Sequence, residues 1–427
     1  MNKIFTVLFC LVISAQGMNA QFRTLTSASD LGRLNSGVFS QNRFAGQLSA
    51  AYVGNLTTNS QNPASYADAS LTSIEIGANS ISGGYHIGDS SMKSSGVGIN
   101  HFAMQFPLTA GKSGLCLGFV RNSNTNYGLR QTGNDPIFGH FYNQLTGSGN
   151  SYRAFAGTGF RFKNLKLGAN LGISFGQVEH SNDKVFPDST QLPRIVTRNA
   201  VSEFGLQLTL GAQYELEVSK NRQLIFGGYY STAISRSGTN ELKKQNVFDR
   251  SGILEYITVK DSSASIDLPR YSILGLGMSV IQNKTTLLGA EFNLENFSGF
   301  RSVQSDSSSI LTGQNLQNAW HLHLGAEFKP FMNREVDSRK YFNRLTYRVG
   351  AVIGKSEQNF AGTLNDIKVM GGVTLPVLGR NIGFISFGAE YGIRGFGGGS
   401  NQLSENYLSI HMILTFADKW FMRQKFD

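Results

Sequence analysis

Cysteine is almost absent from this 427-residue chain, which has two. Cys10 falls in a leader, where Lys3 gives a positive start, Ile4 to Ile13 an apolar stretch, and Met18-Asn19-Ala20 a cleavage site before Gln21. Residues 1–20 therefore read as a secretory signal peptide, too short to span a membrane as a helix. Phe9 precedes Cys10, where a lipid-anchoring signal would need a small residue. Removal of the leader leaves Cys116 alone. An internal disulfide is then excluded, and Cys116 is expected as a small apolar residue in a strand.

Charge is scarce too. Charged residues make up 15% of the chain, against roughly 25% in ordinary soluble domains. The net charge is +10, but the basic residues are scattered rather than patched, which argues against nucleic acid as a partner. Long apolar runs are missing: beyond the leader, none approaches the ~20 residues a spanning helix requires. Catalytic constellations are missing as well, with no nucleophile elbow and no phosphate-cradling loop. The run Gly395-Phe396-Gly397-Gly398-Gly399 comes nearest, but it joins two expected strands and no helix follows to offer amides to an anion. His321 and His323 share one strand face, yet no cysteine or third histidine is placed to complete a metal site. No enzyme, metal or cofactor is expected.

What the chain does have is glycine, 49 residues of it, and a period-two alternation. Along 165–176, Leu165, Leu167, Ala169, Leu171, Ile173 and Phe175 alternate with Lys166, Gly168, Asn170, Gly172, Ser174 and Gly176. Residues 203–217 repeat the pattern, and helical spacing fits neither segment. Similar stretches lie at 223–235, 271–281, 285–297, 318–329, 343–354, 382–393 and 405–416, with weaker ones at 74–80, 95–104, 114–121, 152–162 and 366–376. That makes fourteen strands, an even number, as a bacterial barrel with both termini in the periplasm requires. The connections alternate in length. Long loops are expected at 81–94, 122–151, 177–202, 236–270, 298–317, 355–365 and 394–404, with short turns between. Phe175, Phe204, Trp320 and Tyr391 are expected near the outer rim, and Tyr214, Phe328 and Phe416 near the inner one.

The fold class is thus all-β, a 14-stranded antiparallel transmembrane barrel over 69–427 in the outer-membrane lipid. Fourteen strands enclose more than side chains can fill, since eight nearly suffice. Residues 21–68 carry few strand or helix patterns and are expected to plug the periplasmic half of the interior.

Asn62-Pro63-Ala64 ends that segment. With Ser65-Tyr66-Ala67 after it, and with Glu405-Asn406-Tyr407 through Asp418-Lys419-Trp420-Phe421 at the other end, the chain resembles the outer-membrane long-chain fatty-acid transporters (FadL-like). The likeness is to a divergent branch of gliding and gut-type Gram-negative bacteria; the broad superfamily also holds the type IX secretion protein PorV. The resemblance implies a hatch carrying the Asn-Pro-Ala motif and sideways exit of ligands through the wall, here by a kink near Gly118.

Polar strand faces should line the lumen, bringing in Glu75, Lys166, Glu215, Glu291, Glu327, Arg344, Arg348, Lys368 and Glu390. They are expected to clamp the hatch, with Glu327 and Arg344 flanking one inner turn and close enough to pair. Met370 and Ile413 are candidate ligand-lining residues. Two functions are expected to compete. One is uptake of small hydrophobic or amphipathic molecules such as fatty acids; the other is docking of a protein partner at the long outer loops, in the manner of a PorV-like assembly protein.

Overall fold

The computed structural model describes residues 23–28, 32–35, 37–54, 56–87, 90–189, 191–250, 252–268, 270–297, 316–332, 340–359, 363–377, 382–396 and 403–419. The leader, Trp420, Phe421 and Gly397 to Gly399 lie outside them. Fourteen strands form the wall: β1 (Thr72–Ile87), β2 (Ser90–Thr109), β3 (Ser113–Asp135), β4 (Gly139–Phe162), β5 (Leu165–Val185), β6 (Arg194–Ser219), β7 (Arg222–Arg250), β8 (Ser272–Gln282), β9 (Thr286–Asn296), β10 (Ala319–Phe328), β11 (Thr346–Asn359), β12 (Thr363–Val377), β13 (Ile382–Arg394) and β14 (Ser404–Asp418). Each pairs antiparallel with its successor, and β14 returns to β1, with Thr415 opposite Glu75. Closure gives every wall strand a neighbour on both sides, which is what lets a sheet stand in hydrocarbon.

The period-two alternation sorts the faces. Leu167, Leu171, Ile173 and Phe175 of β5 are exposed on the outside, while Lys166, Asn170 and Ser174 are buried inside. Outside, Phe119 stacks on Tyr152 with ring centroids 5.2 Å apart, Phe175 lies 6.2 Å from Phe119, and Phe204 is paired across to Phe175. Phe160, Phe162, Tyr214 and Phe328 ring the opposite end. Ten residues separate Leu165 from Phe175, about 33 Å of strand at 3.3 Å per residue, or about 25 Å once tilted by ~40°. That matches the apolar band of an outer-membrane barrel.

The long connections differ from expectation. Residues 122–151 and 236–270 are mostly strand, the first closed by a tight turn at 136–138 and the second turning back between Arg250 and Ile253, and 177–202 is strand on both sides of a short connection. Alternation of polar residues there was legible only as loop, because neither face is apolar enough to mark a strand. β3 to β7 therefore run past the aromatic ring, and an extra strand, Ile253–Asp267, pairs with β7 alone. Together they raise a six-stranded sheet above one side of the barrel. The other strands stop near the rim.

The N-terminal segment lies inside. Leu25–Ala28, Gln41–Phe44 and Pro63–Asp68 form 3-10 turns, and Arg33–Leu34 adds to β3 opposite Asn124 and Ser123. The segment runs the height of the lumen: Thr24 N–H donates to the Asn126 carbonyl toward the long-hairpin rim, whereas Gly111 N–H donates to the Ala69 carbonyl at the short-turn rim. It is therefore not confined to one half, and residue 23 lies far from the rim at which β14 ends. One strand boundary also moves. Arg344 closes a 3-10 turn, Tyr341–Arg344, and β11 starts only at Thr346.

Candidate functional site: the lumen and the break in its wall

Asn62 organises the inner end of the segment. Its Oδ1 accepts the Ala64 N–H at 3.2 Å, capping the turn that Pro63 begins, and its Nδ2 donates to the carbonyls of Ala50 at 2.6 Å and Ala212 at 3.2 Å. The turn lies flat against β4, β5 and β6 because Gly159, Gly168 and Gly211 face it. A Cβ at any of the three would come closer than 3.0 Å to Pro63 or Asn62 atoms. Gly325 and Gly350 accommodate the Ala45-Gly46 backbone in the same way. Much of the glycine excess thus carves the lumen wall to fit the chain within it.

The lumen charges meet this segment. Glu75 accepts from Ser40 Oγ at 2.8 Å and pairs with His101 at 3.0 Å. Glu390 binds Arg43 at 2.9 Å. Glu291 accepts the backbone N–H groups of Ser49 and Ala50 at 2.6 and 2.7 Å. Glu327 accepts from Tyr52 Oη at 2.6 Å and pairs with Arg348 at 2.6 Å; Arg348 also donates to Gln41. Lys166 is wholly buried and bridges Asp68 at 2.7 Å and Glu215 at 2.6 Å, with Arg161 bridging the same two carboxylates. The arginine paired with Glu327 is therefore Arg348 and not Arg344, because Arg344 precedes the strand while Arg348 lies directly across the ladder; Lys329 adds a second cation at 2.6 Å. Lys368 stays apart from the segment and pairs with Asp366 at 2.9 Å.

His321 and His323 both point inward. His323 donates Nδ1–H to the Gly46 carbonyl at 2.9 Å and accepts from Asn293 at its Nε2, 3.0 Å away, so neither nitrogen is open to a metal. Among the described residues no group of acids, histidines and cysteines could hold one. A cavity of about 80 Å³ lies beside the segment, lined by Leu34 and Gln47 from it and by Arg153, His321, Asp366, Lys368 and Arg394 from the wall. It is large enough for a few waters only. Met370 and Ile413 are buried but line neither this cavity nor the one at the β2–β3 gap. Asp68, Arg43 and Tyr52 are not marked by the sequence, because nothing local in the N-terminal segment shows which of its side chains meets the wall.

Gly118 sits in an unbroken part of the wall, opposite Ala103 and Phe155, with the Phe155 ring lying over it. The break comes just beyond. The β2–β3 ladder ends at His101 opposite Val120. There Asn100 is an extra residue against β1, and Asn122 an extra residue against β4. Farther out, β2 pairs only with β1, and the edge of β3 is bonded from inside by Arg33, Leu34, Asn35 and Thr24. A second cavity of about 80 Å³ opens at this gap.

The BamG family model matches residues 1–427. The chain belongs to the BamG family. Its fold is that of the FadL-like barrels. The toluene transporter TodX of Pseudomonas putida superposes with a TM-score of 0.58 at 15% identity, covering 92% of this chain and 100% of that one. The Ralstonia pickettii toluene transporter TbuX gives 0.56 at 14%, covering 91% and 99%, and a Pseudomonas aeruginosa FadL homologue 0.50 at 14%, covering 90% and 98%. At these identities the likeness is one of fold. No curated protein matches the sequence.

Proposed function

We propose that this BamG-family barrel is an integral outer-membrane protein, without enzymatic activity, that docks a protein partner on its outer side. The short-turn rim is assigned to the periplasm. Residues 1–20 are the leader, 21–68 a hatch and 69–427 the barrel, and the lumen charges keep the hatch seated. The observation that carries the docking reading is the extra strand Ile253–Asp267, paired on one side only. Ile253, Leu254, Tyr256, Ile257 and Val259 on it are 46–73% exposed. Sheet edges in soluble regions are normally blunted by charge or cover. An edge with apolar residues on both faces suits the addition of a partner strand.

A second reading is uptake of a small hydrophobic or amphipathic molecule, fatty acids included. The gap between β2 and β3 favours it, as does a fold shared with toluene transporters. The two cavities beside the segment are small and lined by several charged side chains, whereas an apolar ligand needs an apolar pocket. Uptake would therefore require the hatch to move.

The test combines a photo-crosslinking residue at position 256, read in cells, with mass spectrometry of lipids on the gently purified protein. A single crosslinked protein partner supports docking. Acyl chains or hydrocarbons at one per barrel, lost on Asn62→Ala, with no crosslinked protein, would overturn docking in favour of uptake.

A further inference from the structure

A wall strand that loses its neighbour leaves polar groups needing new partners, and at the β2–β3 gap one side chain reaches across. Arg121 follows Val120, the last β3 residue paired with β2, and donates from Nη2 to Asn100 Oδ1 at 3.0 Å. Gly98 leaves it room, since a Cβ there would sit 3.0 Å from the guanidinium. Its height is set by its neighbours. Arg121 is paired across the ladder with Tyr152, whose ring stacks on Phe119 in the outer aromatic ring. Aromatic rings mark headgroup depth.

Positive charge outnumbers negative around it. Behind Arg121, Arg33 and Arg43 line the same cavity. Glu405 pairs with Arg33 at 2.9 Å and Glu390 with Arg43 at 2.9 Å. Arg121 has no ion pair among the described residues and its Nε finds no acceptor, and Arg43 and Arg33, each matched by its own carboxylate, leave it none to share. A largely desolvated guanidinium with no counter-charge is costly, and the planar fork of arginine matches phosphate oxygens. Beside the gap Ile99 is 72% exposed on the outer face, where an acyl chain would lie.

We propose that Arg121, backed by Arg33 and Arg43, holds the phosphorylated headgroup of an outer-leaflet lipid seated at the β2–β3 gap. The site needs neither a docked protein nor a transported ligand.

The experiment is native mass spectrometry of the full chain released from nanodiscs of phosphatidylcholine, with and without lipid A. Wild type is expected to retain about one lipid A, and Arg121→Gln to retain it about tenfold less. Arg121→Lys, which keeps the charge, should hold an intermediate amount. Arg198→Gln, at an exposed outer arginine, should match wild type. Equal retention by Arg121→Gln, or equal loss in Arg198→Gln, overturns the site. Displacement of bound lipid A by millimolar inorganic phosphate would overturn the membrane source and assign the pocket to a free anion.

Discussion

Lys166 Nζ lies 2.7 Å from Asp68 Oδ2, and the lysine is completely buried where the N-terminal segment meets the barrel wall. With Glu215 at 2.6 Å the ammonium sits between two carboxylates, one from each part of the chain. Removing it leaves both acids facing each other with only Arg161 between them. Lys166→Met should cost about 3–5 kcal/mol, the usual consequence of breaking a buried pair from one side. Urea unfolding of the barrel in detergent measures it. An unchanged midpoint would show that the hatch is held elsewhere.

Gly168 and Gly211 lie under Pro63 and Asn62 too closely for any side chain. Gly168→Ala should displace the Asn-Pro-Ala turn at a cost of about 1–3 kcal/mol. Gly383→Ala is the control, because the nearest atom to a Cβ there is 3.5 Å away. Limited proteolysis reads hatch release directly, and equal digestion of the two variants would contradict the fit described here.

Asn62→Ala removes a cap worth about 0.5–2 kcal/mol. It also strips donors from the Ala50 and Ala212 carbonyls. Ion conductance in planar bilayers should rise from a low, closed level in wild type to frequent openings in the variant. A large, steady wild-type conductance would sink the idea that the hatch seals the pore.

The projecting hairpin is dispensable for closure. β7 pairs with β8 from Arg222 opposite Gln282 to Thr232 opposite Ser272, below the point where Ile253–Asp267 takes over. Replacing residues 237–267 with a tight turn should leave heat-modifiable migration and unfolding midpoint as in wild type, while abolishing capture of the docked partner. A barrel that fails to fold would mean that the sheet nucleates the wall.

Asp135 closes the β3–β4 turn by accepting the N–H groups of Ile137 at 3.0 Å and Phe138 at 3.2 Å, and these bonds hold its carboxyl below the ordinary range. Because the folded pKa is depressed, the turn is fully supported above the unfolded value of 3.8 and loses that support as pH falls through the folded one. Amide exchange at Ile137 and Phe138, relative to intrinsic rates, should speed up in that acid window. Asp135→Ala should exchange fast on both sides of it.

The alternation of Leu165 to Gly176 was enough to assign strands, faces and an even count, because a strand between lipid and lumen must alternate whatever it surrounds. The inward position of Glu75, Glu291, Glu327 and Glu390 follows from the same rule. The partner of Glu327 does not, since a strand that starts at Thr346 rather than at 343 leaves Arg344 outside the ladder and brings Arg348 across from Glu327. The strands within 122–151 and 236–270 were illegible for a related reason. Above the membrane neither face is lipid, so the pattern that marks a strand disappears.

Composition and periodicity by themselves determined a fourteen-stranded barrel with a polar interior and a separate N-terminal segment, since each follows from local alternation and length. Only the tertiary structure decided where that segment lies, which glycines admit it, and where the β2–β3 ladder stops. Those depend on approach between residues far apart in sequence, such as Asn62 with Gly211 and Arg121 with Asn100, and nothing local encodes such distances.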